Sequence, residues 1–258
     1  MATRRSNQFQ VLTLAALSGI AVLVVCALLR GEALPSPASA AWAMSAGAAG
    51  AVGIAALYRA LSLGHAASVA PTAAVIGAAL PVAFSSLVEG PPGTTRLAGF
   101  ALALLGIWLV SRIAPQGKGL SRLGLALACL AGVGFGGFFI LIAQVEPGLV
   151  FTPLIAARSL TFCTALLLLR VRRLAWPSPT SNPIALLAGV LDAGGNIFYL
   201  LAQQFTRLDV AAVLSSLYPA MTVLLACIIL KEKVTRSQWL GVALCLAAIV
   251  FIMGSELV

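Results

Sequence analysis

The stretch Gly99-Phe-Ala-Leu-Ala-Leu-Leu-Gly-Ile107 returns as Gly241-Val-Ala-Leu-Cys-Leu-Ala-Ala-Ile249, with Gly, Ala, Leu, Leu and Ile coinciding at a shift of 142 residues. An acidic residue precedes each copy, Glu89 and Glu232, at a shift of 143. Internal repeats govern the architecture of a chain. In so apolar a sequence, however, a short match gains meaning only if its surroundings obey the same shift.

The surroundings do. Apolar runs long enough to cross a bilayer, which needs about 20 residues, cover Val11–Leu29, Ala38–Tyr58, Ala66–Val88 and the shorter Leu97–Ser111. Five more follow: Leu123–Val145, Leu149–Leu169, Ile184–Phe205, Val210–Leu230 and Ser237–Ser255. Moved back by 142, the last four land on the four spans of the first half. The span starting at 123 has its partner before Met1, so either the protein works with nine helices or, as favoured, the full product is expected to begin about 20 residues upstream. The fold expected is an all-α polytopic membrane protein with nine transmembrane helices, arranged as two inverted five-helix repeats. Residues 1–115 form the first repeat, lacking its opening helix, and 120–258 the second. An odd number of helices per unit forces the two copies to run in opposite directions, a recurrent plan of secondary transporters.

Composition agrees. Of 258 residues, 61% are apolar and only 9% charged, against about a quarter charged in soluble domains; mean hydropathy is +1.06. These values exclude a soluble enzyme, a nucleic-acid module and a secreted disulfide scaffold. The five cysteines all fall within apolar runs without metal-ligand or CxxC spacing, and there is one histidine. No metal, cofactor or catalytic cluster is implied, and the edge-of-membrane pair Arg59 and His65 reads as snorkelling. The glycine runs Gly47, Gly50, Gly53 and Gly132, Gly134, Gly136, Gly137 read as close-packing helix surfaces.

The net charge of +9 is a topology signal, with no nucleic-acid partner behind it. Arg4, Arg5, Arg112, Lys118, Arg122, Arg170, Arg172, Arg173, Lys231, Lys233 and Arg236 share one side, against Arg30, Arg96 and Arg207 on the other. Basic residues collect on the cytoplasmic side. The amino terminus is therefore expected in the cytoplasm and the carboxyl terminus outside.

Two ionisable residues interrupt spans, Arg158 and Asp192. Charges at mid-membrane are costly and mark function by default, usually with a partner; antiparallel neighbours would bring these two to one depth. They read either as a structural ion pair or as a charge site facing a cavity. In the second case Arg158 meets an anionic group and Asp192 a cation or a proton. Asp192, Asn196, Tyr199 and Gln203 lie at spacings of 4, 3 and 4, one face of a helix, and read as interhelical hydrogen bonding or as a cavity wall. Ser215, Ser216 and Tyr218 precede Pro219 on the next span and offer hydroxyl groups. Pro71 and Pro219 are expected to bend their helices.

The segments Ala56-Leu-Tyr-Arg-Ala-Leu61, Ser68-Val-Ala-Pro71 and Pro81-Val82, then Gly195-Asn196, Tyr199-Leu200, Val213-Leu-Ser-Ser-Leu-Tyr-Pro-Ala220, Lys231-Glu232-Lys233 and Gln238-Trp-Leu-Gly241, resemble EamA-type carriers of the drug/metabolite transporter superfamily. The resemblance implies two inverted five-helix repeats, a central cavity for small metabolites lined in part by the first helix, and export across the cytoplasmic membrane. Glu89-Gly90 stands where relatives usually have Glu-Arg. The competing readings are a structural or assembly subunit, an inactive truncated carrier, or an intramembrane lipid-modifying enzyme. The last would need a nucleophile–base pair or metal cluster that the sequence does not supply.

Overall fold

Helix starts carry short capping signals. Ser36 precedes Pro37 and its hydroxyl accepts the Ser39 N–H at 3.2 Å; proline at the first helical position forfeits no hydrogen bond. Asn182 acts likewise before Pro183, its Oδ1 accepting the Ala185 N–H at 3.2 Å. Thr235 and Gln238 form a reciprocal box: the Thr235 N–H donates to Gln238 Oε1 at 3.0 Å and the Gln238 N–H to Thr235 Oγ1 at 3.3 Å. The computed structural model describes residues 8–63, 66–111, 121–178, 182–231 and 234–254. His65 and the basic residues Arg4, Arg5, Arg112, Lys118 and Lys233 lie outside the described residues, as does Glu232.

The helical segments are α1 (Gln8–Arg30), α2 (Pro37–Ser62), α3 (Ala66–Val88), α4 (Thr94–Ser111), α5 (Arg122–Ile142), α6 (Phe151–Val171), α7 (Pro183–Gln203), α8 (Leu208–Ser215), α9 (Tyr218–Leu230) and α10 (Arg236–Gly254). Among the described residues there are nine spans long and apolar enough to cross a membrane, one beginning with α8 and running on into α9. Each overlaps a run read from the sequence. The protein is a multi-pass, all-helical membrane protein.

Proline acts differently at its two sites. Pro71 and Pro81 stay inside a continuous α3. Pro219 follows a break instead: Ser216 and Leu217 separate α8 from α9. Pro219 has no N–H to bond the Ser215 carbonyl four residues back. The chain tightens before it, with Ser216 N–H donating to both Ala212 O and Val213 O at 2.9 and 3.0 Å.

The chain divides into two compact units, residues 1–51 with 141–205, and 52–140 with 206–258. In the first unit α1 packs on both α6 and α7. Gly47 of α2 faces the Ala157 backbone, and Gly189 of α7 faces the Ala15 carbonyl, each with no room for a side chain. In the second unit α4 and α10 form the most extensive pair, flanked by α3, α8 and α9. Their core holds Phe100, Ala103, Ile107, Val242, Cys245 and Ala248. Gly132 and Gly136 of α5 lie against Ile76 and Leu80 of α3; close approach of this kind replaces the hydrophobic drive that lipid does not supply.

The α4–α10 seam reproduces the 142-residue shift in space. A Cβ on Gly99 would lie 2.7 Å from the Ile252 side chain, and one on Gly241 2.7 Å from the Val110 side chain. The shift carries 99 to 241 and 110 to 252, so the two contacts exchange, and the helices run antiparallel. Gly241→Leu is therefore expected to destabilise the protein by about 3 kcal/mol or more, because its neighbours include the Val110 N and Gly106 O backbone atoms at 2.7 and 2.9 Å. Thermal melting in detergent checks this against Gly194→Leu, a position with nothing within 4 Å of its Cβ. Equal melting of the two variants would show the seam to be loose.

Candidate functional site

The site grows from the way α1 lies between α6 and α7. Ser18 of α1 donates to the Leu186 carbonyl of α7 at 2.8 Å, where Gly189 lets the two backbones meet. One residue on, Gly19 carries no side chain, and a Cβ there would lie 2.6 Å from Arg158 Nη1. The guanidinium of α6 thus crosses α1 over Gly19 and reaches Asp192 on α7. Arg158 Nη2 donates to Asp192 Oδ2 at 2.5 Å. The two partners sit in unlike surroundings: the Arg158 side chain is 10% exposed and that of Asp192 69%. Arg158 Nε is buried and has no hydrogen-bond partner among the described residues.

The polar face of α7 follows a single helical stripe through several environments. Asp192 is open, Asn196 and Gln203 are half-buried, and Tyr199 is 1% exposed. Ser215, Ser216 and Tyr218 belong to the second unit, at the α8–α9 break. Ser216 is buried and its hydroxyl proton is committed to the Ala212 carbonyl at 2.8 Å; Ser215 is half-buried and Tyr218 exposed. Among the described residues no group of three His, Cys, Asp or Glu side chains is placed to hold a metal ion.

Three acidic residues that sequence reasoning passed over tie linkers to helix ends. Glu32 accepts from Val150 N, Thr152 N and Thr152 Oγ1 at 3.1, 2.7 and 2.9 Å. It caps α6, whose own N-cap, Val150, offers no side-chain bond. The only local signal was that missing cap. Gln204 completes this end, donating to the Leu149 carbonyl at 3.1 Å. Glu146 accepts from the Ser36 N–H at 3.4 Å, and its own N–H donates to Ser39 Oγ at 3.0 Å. In the second unit Asp209 is wholly buried at the start of α8 and is paired with Arg207.

The Ser36 hydroxyl, and then its backbone N–H, hold the Glu146 carboxyl below the ordinary glutamate range. A group lowered in this way stabilises the fold fully above its ordinary range, and that contribution fades as pH falls through the lowered value. The tie between the α1–α2 and α5–α6 linkers is thus expected to open only as pH falls below the ordinary glutamate range. Measured against the intrinsic rate at each pH, amide protection at residues 36–39 and 144–146 should fall there in the wild type, whereas in Glu146→Gln it should not change across that range.

A sequence model of the EamA-like transporter family matches residues 122–254, just over half the chain. The chain belongs to the EamA-like transporter family. The expected family resemblance is thereby shown, and with it the membership of a group of transporters of the drug/metabolite type. A solved crystal structure is 21% identical and superimposes with a TM-score of 0.74, over 99% of this chain and 91% of its own. That likeness concerns the fold alone. A search of curated proteins found no match.

Proposed function

We propose that the protein is a secondary active transporter that moves small metabolites or drug-like compounds out across the cytoplasmic membrane by alternating access. The observation that carries this reading is the Arg158–Asp192 pair, set within two membrane-spanning helices of a transporter-family chain. A charged side chain at the bilayer centre costs about 2.5–3.5 kcal/mol or more. Arg158 is offset by its partner. Asp192, open over most of its surface, would bear that cost against lipid tails, so it faces water or substrate. Asn196 and Gln203, half-buried on the same helical face, extend that wall, with Tyr199 buried between them; in the second unit, Ser215, Ser216 and Tyr218 are candidate polar groups at the α8–α9 break. A discontinuous helix with unpaired backbone carbonyls is a familiar element of transporter sites.

The exchange of Gly99–Ile252 with Gly241–Val110 supports reading 1–115 and 120–258 as inverted repeats. The imbalance of basic residues supports a cytoplasmic amino terminus. Asp192 is the proposed coupling group. The experiment is a metabolite profile of cells with and without the gene, followed by vesicle uptake of the compounds that differ. Cells lacking the gene are expected to retain a small set of related compounds; identical profiles under every growth condition tried would contradict a carrier.

A further inference from the structure

We propose that Arg158 is the anion-recognition residue of this carrier, shaped to hold a substrate carboxylate side-on through Nε and Nη2. Asp192 is then a place-holder that occupies half of that fork until a carboxylate displaces it. The inference rests on the carrier reading and adds the substrate class to it.

Three observations converge. First, the Nη1 side of the guanidinium is closed to a ligand. Nη1 lies against the α1 backbone at Gly19, where even a methyl group would come within 2.6 Å. Second, the other edge is half used. Asp192 takes Nη2 through Oδ2 alone, while Nε has no partner and is buried. A guanidinium presents Nε–H and one Nη–H as parallel donors that match the two oxygens of a carboxylate. A buried donor left without an acceptor is unfavourable, and a two-oxygen ligand would remove that orphan. Third, the partners differ in freedom. Arg158 is nine-tenths buried and pinned across α1, whereas Asp192 is 69% exposed and is free to swing away. Because Nε lies beneath the surface, a ligand reaches it only once Asp192 has moved. Displacement therefore precedes full engagement of the fork.

The test uses the full chain in lipid nanodiscs and matched acid–amide pairs as probes: butyrate with butyramide, phenylacetate with phenylacetamide, and hippurate with its amide. Thermal stabilisation is measured against ligand concentration. Wild type is expected to be stabilised by at least one acid at lower concentration than by its amide. Asp192→Asn, which keeps the shape and removes the competing charge, should lower the half-saturating concentration for that acid about tenfold. Arg158→Lys, which keeps the charge and loses the fork, should erase the acid-over-amide preference. The Asp192→Asn result decides the question alone if the lysine variant fails to fold. Acids no better than amides in both wild type and Asp192→Asn would overturn the proposal. So would Asp192→Asn weakening the acid, since Asp192 would then be helping to bind it. Should the acids bind as expected yet never cross reconstituted vesicles, the anion site stands and the carrier reading fails.

Discussion

Asp192→Asn is expected to give a protein that inserts and folds but no longer concentrates its substrate against a gradient. Asparagine has the shape of aspartate and retains an oxygen for the bond from Arg158 Nη2, so the junction of α6, α1 and α7 should persist. The variant lacks the carboxylate that is proposed to carry the proton. If one proton moves for each substrate molecule, each pH unit across the membrane supports about a tenfold substrate gradient, or 1.36 kcal/mol. In vesicles with an imposed pH difference, wild type should reach that ratio and the variant should stop at equal concentrations. A variant that concentrates substrate as well as wild type removes Asp192 from the mechanism. Melting within a few degrees of wild type would establish that folding is not what was lost.

Arg207→Met carries the largest expected effect on stability. Asp209 is fully buried, and Arg207 meets it through Nε at 3.2 Å and Nη2 at 3.1 Å. The same guanidinium donates to the Glu89 and Gly90 carbonyls at 3.2 and 2.8 Å and to Ser85 Oγ at 3.4 Å, and pairs with Glu89 Oε2 at 3.5 Å. One side chain thus joins the end of α3, where Gly90 turns the chain at φ +86, to the start of α8. Methionine would fill part of the volume and leave a buried carboxylate without its counter-ion, held among the described residues only by the Val210 N–H, at a cost of about 3–5 kcal/mol. Adding Asp209→Asn should recover much of that loss. Chemical or thermal unfolding of the three variants in one detergent measures it; an Arg207→Met melting point matching wild type would mean that Asp209 is not held as a charge.

The spans were legible because hydrocarbon demands long runs with few charges, and helices meet that demand residue by residue. Depth was legible too: Arg158 and Asp192 could be matched because each interrupts an apolar run, and the two do pair. Their route to one another was not. The sequence places α6 and α7 as neighbours, and they do touch, but each packs far more extensively on α1, and Gly19 clears the path between the two charges. A glycine in a run of small residues does not announce which neighbour it admits. The proline at 219 read as a bend became a break, since the Ser216–Leu217 turn absorbs the missing N–H. Glu32 and Arg207 escaped for a common reason. Glu32 caps a helix 118 residues away at Val150, and Arg207 clasps a helix end 117 residues back at Gly90. No local pattern encodes such distant partners, and by sequence alone Arg207 is one basic residue among several.

Counterflow tests the central claim most directly. Vesicles containing the purified protein are loaded with unlabelled compound, taken from the metabolite profile, and diluted into a trace of the labelled compound. A carrier that alternates access should draw label inward to a transient excess over the outside concentration, with no energy source other than the exchange. Uptake that never exceeds equilibrium and matches protein-free vesicles would contradict the account.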